Sequence, residues 1–304
     1  MSKPRPATTR PFPNYRGRFA PSPTGPLHFG SLVAATASFL DARASGGRWL
    51  VRMEDLDPPR EKPGAADAIL RSLEDFGFEW DEEILYQSSR LEAYAAAVAD
   101  LASAEAAYAC TCSRREIASV ARPGVDGPVY PGTCRAARRS LSVHAAIRVV
   151  TGDRVVAFAD RVQGHHAQRI GCDIGDFVIR RADGLFAYQL AVVADDAHQG
   201  ITHVVRGADL LLSTPRQIYL QELMGADTPA YAHVPVVLDA GGNKLSKRDA
   251  AHPVDSADPV PALSRALAFL GQPIPDSDNL RDFWSEALAN WDLSRIGRVA
   301  ARRG

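Results

Sequence analysis

Residues 18–31 constrain the fold most, because they join a short apolar strand to a helical pattern through a loop of prolines and glycines. Apolar residues recur at helical spacing from Leu32 to Leu40, glycines 46 and 47 end that pattern, and residues 49–53 are typical of a second strand. In such β-loop-α-β units, phosphate groups lie against the loop amides and the helix N-terminus. The sequence therefore predicts an α/β protein that opens with a nucleotide-binding turn.

A basic run near the other end of the chain supports this interpretation. The chain has four lysines and 31 arginines, and two of the lysines, Lys244 and Lys247, lie within the five residues 244–248. An ammonium group is a compact, mobile point charge that suits a phosphate. A solvated basic loop is the alternative, but the rarity of lysine in this chain favours a phosphate-binding role.

These two segments resemble the signature motifs of class I aminoacyl-tRNA synthetases. His28-Phe-Gly30-Ser31 is similar to their HIGH motif, with Ser31 in place of the second His, and the run 244–248 is similar to KMSKS. Small residues often stand at that position in glutamyl-type members. Three further segments resemble the glutamyl subgroup and stand in family order: Arg18-Phe-Ala-Pro-Ser22, Arg52-Met-Glu54-Asp55-Leu-Asp57 and Val205-Arg206-Gly207-Ala-Asp209.

The resemblance implies a Rossmann-like catalytic domain that activates L-glutamate with ATP and Mg²⁺. His28 and Lys247 would be catalytic, because activation concentrates negative charge on the phosphates. ATP would be contacted by His28, Gly30, Ser31, Lys244, Ser246 and Lys247. Glutamate would be contacted by Arg18, Phe19, Ala20, Pro21, Ser22, Glu54, Tyr188 and Arg206.

Each of three site residues also has a purely structural alternative. His28 could be a satisfied structural histidine, Glu54 a solvated charge beside Asp55 and Asp57, and Tyr188 a core aromatic. The conjunction of His28 with Lys247 favours catalysis for the first. For the other two, the family resemblance carries the functional interpretation.

Four cysteines without a signal-peptide pattern argue against disulfides and allow a metal site. Cys110, Cys112, Cys134 and Tyr130 resemble the zinc site of the subgroup, which implies one structural zinc held by three thiolates and a phenolate. No His lies between Cys110 and Cys134. The fourth ligand is therefore either Tyr130 or Asp126. Cys172 is interpreted as an ordinary buried thiol.

The predicted organisation has five parts. They are a disordered leader (1–14), the first half of the catalytic domain (15–108), a zinc-bearing insertion (109–172), the second half (173–250) and a short helical C-terminal region (251–304). Helices are predicted over 65–76, 91–107, 215–224, 262–269 and 280–289, and strands over 145–150, 154–159, 173–180, 186–193, 201–206 and 234–238. No run of about 18 apolar residues occurs. We expect a cytoplasmic monomer with no membrane contact.

Length distinguishes between close members of the subgroup. Only 56 residues follow Arg248, too few for the anticodon-binding domain of a complete glutamyl-tRNA synthetase. The chain resembles the truncated members, which attach glutamate to the queuosine base in the anticodon of tRNA(Asp). Charging of the 3′ end of tRNA(Glu) is the alternative within the enzyme class. A non-catalytic RNA-binding paralogue is the alternative outside it.

The formal net charge of −1 predicts that any RNA contact is local. Candidate contacts are four groups of arginines, each of which could also be a solvated face. They are Arg114 and Arg115; Arg135, Arg138 and Arg139; Arg180 and Arg181; and Arg295, Arg298, Arg302 and Arg303.

Overall fold

The computed structural model describes residues 14–137, 141, 144–239, 241–242 and 253–303. Of the predicted leader, only Asn14 lies within these ranges. The predicted ATP-binding residues Lys244, Ser246 and Lys247 lie outside the described residues, as do Arg138 and Arg139. Within the described ranges, no helix has the length and apolar character needed to span a bilayer.

Helices and strands alternate along most of the chain. The helices are α1 (Phe29–Ala44), α2 (Ala65–Asp75), α3 (Leu91–Ser103), α4 (Arg114–Val120), α5 (Tyr188–His198), α6 (Thr214–Met224), α7 (Pro259–Phe269) and α8 (Leu280–Asn290). The strands are β1 (Arg16–Phe19), β2 (Arg48–Met53), β3 (Leu85–Tyr86), β4 (Ala107–Cys110), β5 (Arg122–Gly124), β6 (Gly127–Val129), β7 (Ala146–Val149), β8 (Val155–Asp160), β9 (Gly164–Arg169), β10 (Val178–Arg180), β11 (His203–Gly207), β12 (Ala230–Val234), β13 (Val236–Leu238) and β14 (Ala301–Arg303).

The predicted β-loop-α-β unit is confirmed. Strands β1 and β2 pair in parallel, with Arg18 opposite Leu50, and β3 extends the sheet beyond β2. Helix α1 begins at a side-chain cap from His28 and ends before Gly46, whose φ of +67° lets the chain turn back towards β2. The loop between β1 and α1 therefore opens at the carboxyl end of a buried strand.

The second half of the chain adds a parallel pair beside the first sheet. Strands β11 and β12 pair in parallel, and β11 lies next to β1, where the Thr202 amide donates to the Arg16 carbonyl at 3.0 Å. Helix α1 packs on β1, β2 and β11. Residues far apart in sequence therefore meet at the carboxyl ends of β1, β2, β11 and β12.

Residues between the two halves form an antiparallel sheet and a separate hairpin. The sheet has the order β10-β7-β4, and the hairpin joins β8 to β9. The hairpin turn contacts β12 and α1, because the Arg161 amide donates to the Tyr231 carbonyl at 2.8 Å and its guanidinium donates to Asp41. The strands predicted over 145–150 and 154–159 are confirmed.

Three predicted elements differ from the structure. The strand predicted over 186–193 is wrong, because this segment enters α5, which buries Leu190–Val193 against α3 and α6; a short apolar run does not distinguish a buried helix from a strand. The helix predicted over 91–107 ends at Ser103, where Glu105 (φ +55°) turns the chain into β4. Of the strand predicted over 173–180, only β10 forms, and Ile170–Ile174 is a π-helical turn.

The remaining predicted helices are confirmed, and those of the C-terminal region join the main core. Helices α7 and α8 pack on α1. The rings of Phe39, Phe78 and Trp284 stack edge to face or tilted at 5.0–5.3 Å, and the Trp284 indole donates to the Phe76 carbonyl at 2.9 Å. The C-terminal helices thus cover a surface of the first half that would otherwise be apolar and exposed.

This packing predicts a large stability difference between two substitutions in the C-terminal region. Phe283→Ala should lower the free energy of unfolding by about 3–5 kcal/mol, because the ring is fully buried and its loss leaves a cavity. Ile274→Ala is the matched control, since that side chain is 55% exposed, and should change stability by less than about 0.5 kcal/mol. Urea denaturation measures both values, and equal effects would contradict the assigned core.

Candidate active site and zinc centre

A cavity of about 500 Å³ opens at the carboxyl ends of β1, β2, β11 and β12. It collects residues that the sequence assigned to ATP and to glutamate from distant parts of the chain. Those lining it are Arg18, Phe19, Ala20, Pro21, Ser22, His28, Gly30, Ser31, Glu54, Tyr188 and Arg206. The structure therefore brings together every predicted ATP or glutamate residue that it describes.

His28 lies where the loop enters α1. Its Nδ1 accepts from the Ser31 amide at 3.2 Å, and its Nε2 lies 3.1 Å from the Ser31 hydroxyl. Ser31 stands where the HIGH pattern has its second His. Its amide and hydroxyl contact the two ring nitrogens of His28 and so hold that imidazole in place. A Cβ at Gly30 would lie 3.2 Å from the His28 ring, so glycine gives the imidazole its space.

A buried carboxylate holds two arginines, of which Arg18 lines the cavity. Asp196, on α5, accepts from Arg18 Nε at 3.1 Å and from Arg52 Nη1 at 2.7 Å. Burial raises the pKa of a carboxyl group, but the two guanidinium groups outweigh it and hold the pKa of Asp196 below its ordinary value. Asp196 is therefore ionised at neutral pH and fixes Arg18 at the cavity wall.

Glu54 faces the cavity directly after β2. Its Oε1 accepts from Arg52 Nη2 at 3.4 Å. Burial raises the pKa of Glu54, because Arg52 and Arg18 do not fully offset the desolvation. A ligand ammonium placed beside this carboxylate would stabilise the charged form and form an ion pair with it.

Arg206 lines the cavity from the carboxyl end of β11. Its Nε donates to His233 Nε2 at 3.0 Å, its Nη2 to the Thr214 hydroxyl at 2.9 Å, and its Nη1 to the Tyr188 hydroxyl at 3.4 Å. Burial raises the pKa of Tyr188, so its hydroxyl stays protonated. The guanidinium is thus held on three sides while it lines the cavity.

The charges of these groups match an amino acid with a second carboxylate. The charged side chains that line the cavity are three guanidinium groups, of Arg18, Arg60 and Arg206, and two carboxylates, of Glu54 and Asp209, which leaves one positive charge among the five groups. Glutamate carries two carboxylates and one ammonium, and hence one negative charge. The net charge of the lining is therefore opposite in sign to that of glutamate.

The sequence interpretation missed the residues that hold this constellation in place. Asp196, His233 and Thr214 carry no motif of their own. The paired acids Asp195 and Asp196 at the end of an apolar run were the one available signal, since carboxylates beside buried residues need cationic partners.

Three cysteines and a tyrosine form a second cluster in the insertion. The sulfurs of Cys110, Cys112 and Cys134 all lie within 4.8 Å of one another, and the Tyr130 hydroxyl lies 3.3 Å from the first two. Tetrahedral zinc with thiolate ligands separates its sulfurs by ~3.8 Å. The donor set therefore fits a structural zinc ion with Tyr130 as the fourth ligand.

The structure favours Tyr130 over Asp126, the alternative fourth ligand. The Asp126 carboxylate accepts from Arg216 Nη1 at 2.7 Å and so is already engaged in an ion pair. Cys172 was predicted to be buried, which is wrong: it is partly exposed, and its thiol donates to Asp153 at 3.4 Å.

Of the predicted RNA contacts, Arg135 is held by the buried carboxylate of Asp176.

Comparison with known proteins gives a consistent result. The family model described as tRNA synthetases class I (E and Q), catalytic domain, matches residues 14–280. Proteins named Glutamyl-Q tRNA(Asp) synthetase from Chromobacterium violaceum and Pseudomonas aeruginosa are each 55% identical over 93% and 94% of this chain, and 95% and 97% of their own lengths. The crystal structure of a glutamate tRNA ligase from Elizabethkingia meningosepticum in complex with its amino acid has a TM-score of 0.78 and 27% identity, over 95% of this chain and 67% of that one.

The thiolate cluster predicts that Cys134→Ser lowers both bound zinc and thermal stability, because the remaining ligands no longer close a tetrahedral site. Cys172→Ser is the matched control, since it removes a thiol outside the cluster. Metal analysis and thermal unfolding of protein purified without chelators measure both effects. A wild-type protein without zinc would exclude the site.

Proposed function

Because the chain belongs to the class I tRNA synthetases for glutamate and glutamine, we propose that it activates L-glutamate with ATP and transfers the glutamyl group to queuosine in the anticodon of tRNA(Asp). Membership of this family makes it a ligase. The relatives named Glutamyl-Q tRNA(Asp) synthetase support the acceptor, since they are matched over almost their whole length. About a third of the glutamate tRNA ligase lies outside its match.

Activation is an in-line displacement at the α-phosphorus of ATP. An oxygen of the glutamate α-carboxylate forms the new bond to phosphorus, and the bond to pyrophosphate breaks, which yields glutamyl-adenylate. Charge accumulates on the phosphate oxygens and the leaving group. His28 would donate to these phosphates from the start of α1, and Lys247 would neutralise their charge. Mg²⁺, when bound with ATP, would share that neutralisation.

The amino acid would be held by the charged walls of the cavity. Arg18 and Arg206 would each take a carboxylate, and Glu54 would take the ammonium group. The single observation that supports glutamate most strongly is that the charged side chains lining the cavity leave one positive charge, which matches a ligand with one negative charge.

A second cavity offers a place for the acceptor. It measures about 340 Å³ and shares Ser22, Thr24, Glu54, Arg60 and Tyr188 with the first. It continues to acidic and polar groups, among which are Asp57, Glu61 and Gln87. Queuosine carries a cyclopentene diol on an amino group, and such a ligand favours carboxylates and amides. The shared wall would let its hydroxyl reach the adenylate.

The insertion would add structural support and RNA contact. We propose one structural zinc at Cys110, Cys112, Tyr130 and Cys134, which would hold the loops together where little core is available. Arg114 and Arg115 are exposed on α4. Among the proposed RNA contacts, these two are better placed for phosphates than Arg135, which an ion pair already engages.

The proposed chemistry predicts that Lys247→Ala lowers glutamate-dependent ATP–pyrophosphate exchange, measured without RNA, about 100-fold or more. Lys62→Ala, which removes an exposed lysine outside the first cavity, is the matched control and should leave exchange unchanged. His28→Asn should lower exchange to a similar degree and still cap α1, whereas His28→Ala would also lose the cap. Exchange near the wild-type rate in folded Lys247→Ala and His28→Asn proteins would refute the assignment.

The proposed acceptor predicts that labelled glutamate is transferred to queuosine-containing tRNA(Asp) and not to the same tRNA with guanosine at that position. Enzymatic removal of the 3′-terminal adenosine should leave acceptance unchanged, because the bond forms on the base. Enzymatic removal of the 3′-terminal adenosine is preferable to oxidation of the tRNA with periodate, because periodate cleaves both the diol of the terminal ribose and the diol of queuosine. Efficient charging of tRNA(Glu), or loss of acceptance after trimming, would favour ordinary 3′-end aminoacylation.

A further inference from the structure

A chain of buried hydrogen bonds runs from the β8–β9 hairpin of the insertion to Arg206 in the cavity. The Asp160 carboxylate lies 2.6 Å from His233 Nδ1, and His233 Nε2 lies 3.0 Å from Arg206 Nε. His233 has no exposed surface, while Asp160 is 5% and Arg206 6% exposed. Water therefore has little access to any of the three.

The chemistry of the partners fixes the position of the proton on His233. A guanidinium nitrogen only donates, so His233 Nε2 accepts from Arg206, and the ring proton lies on Nδ1, where it is donated to Asp160. Burial, followed by the charge of Arg206, lowers the pKa of His233 to about 4 in spite of Asp160. The ring is therefore neutral at neutral pH.

This neutral ring limits the directions in which Arg206 can point. Arg206 has five N–H donors, and contacts with His233, Thr214 and Tyr188 use three of them within the described part of the chain. The remaining two belong to the Nη atoms. Because His233 accepts from Nε, the orientation of the Arg206 guanidinium plane is fixed before a carboxylate enters the cavity.

We propose that Asp160 and His233 are positioning residues that orient Arg206 towards a carboxylate of the amino acid substrate. The inference rests on the proposed function, because it assumes that Arg206 binds glutamate. It assigns to the insertion hairpin an indirect part in amino acid recognition, through His233 and Arg206. Neither residue touches the substrate itself.

The two oxygens of Asp160 have separate tasks, which makes a sharp test available. Oδ1 accepts from the backbone amides of Val162, Gln163 and His233 at 2.8–3.0 Å and so closes the hairpin turn. Oδ2 faces the His233 ring. In Asp160→Asn, the amide oxygen can still accept from the three backbone amides. The amide NH₂ then lies against the N–H at His233 Nδ1, so that two donors face each other. If the ring proton moved to Nε2, it would instead face the N–H of Arg206, which is also a donor.

The experiment compares Asp160→Asn with Asp41→Asn in glutamate-dependent ATP–pyrophosphate exchange. Asp41 accepts from both Nη atoms of Arg161 and so anchors the same turn, but its side-chain partners in the described part of the chain are Tyr15, Arg161 and Trp291, not His233 or Arg206. We expect Asp160→Asn to raise the KM for glutamate on the order of tenfold and to leave the KM for ATP unchanged. Asp41→Asn should leave both KM values within about twofold of wild type.

An unchanged KM for glutamate in Asp160→Asn, or an equal rise in Asp41→Asn, would overturn the proposal. A second measurement does not depend on activity and reports on the wild-type protein. The ¹⁵N shifts of the His233 ring, assigned with His233→Gln, should show the tautomer protonated on Nδ1 in the wild-type protein, and the opposite tautomer would also overturn the proposal. Absence of exchange in the wild type would instead count against the proposed function.

Discussion

The carboxylate of Asp196 between two arginines is the interaction on which the active site depends. It joins α5 to β1 through Arg18 and to β2 through Arg52, and all three side chains are buried. Without it, two guanidinium groups would be buried without their partner, which typically costs about 3–5 kcal/mol. Because Arg52 also contacts Glu54, the same carboxylate fixes the anion that faces the cavity.

A buried ion pair adds little net stability relative to apolar packing, because desolvation offsets most of the attraction. Its value here lies in the environment that it creates for a charged ligand. Interactions between charges are stronger where water is excluded. A cavity whose charges are already paired and held also needs little rearrangement when a ligand binds. Rigid, buried charges of this kind therefore suit a cavity proposed to bind a small, charged ligand.

The sequence predicted what is encoded locally and missed what is encoded by distant contacts. The turn around His28 was predicted because its strand, loop and helix follow one another in the chain. Helix α5 was predicted as a strand, because Leu190–Val193 is a continuous apolar run. The hydrophobic periodicity of such a run does not distinguish a buried helix from a buried strand. Asp196 and His233 were not assigned, since their partners lie 178 and 73 residues away. The basic run 244–248 lies outside the described residues and stays a prediction.

The separation of Arg52 from Asp196 has a consequence for the order of folding during translation. The two residues lie 144 positions apart, and a ribosome adds about 5–20 residues per second, so roughly 7–30 s pass between their synthesis. During that interval the nascent sheet carries two arginines destined for burial whose carboxylate has not yet been made. His233, the partner of Arg206, follows later still. The pocket is therefore among the last parts of the catalytic domain to close on the ribosome, although its first residues are among the earliest to emerge.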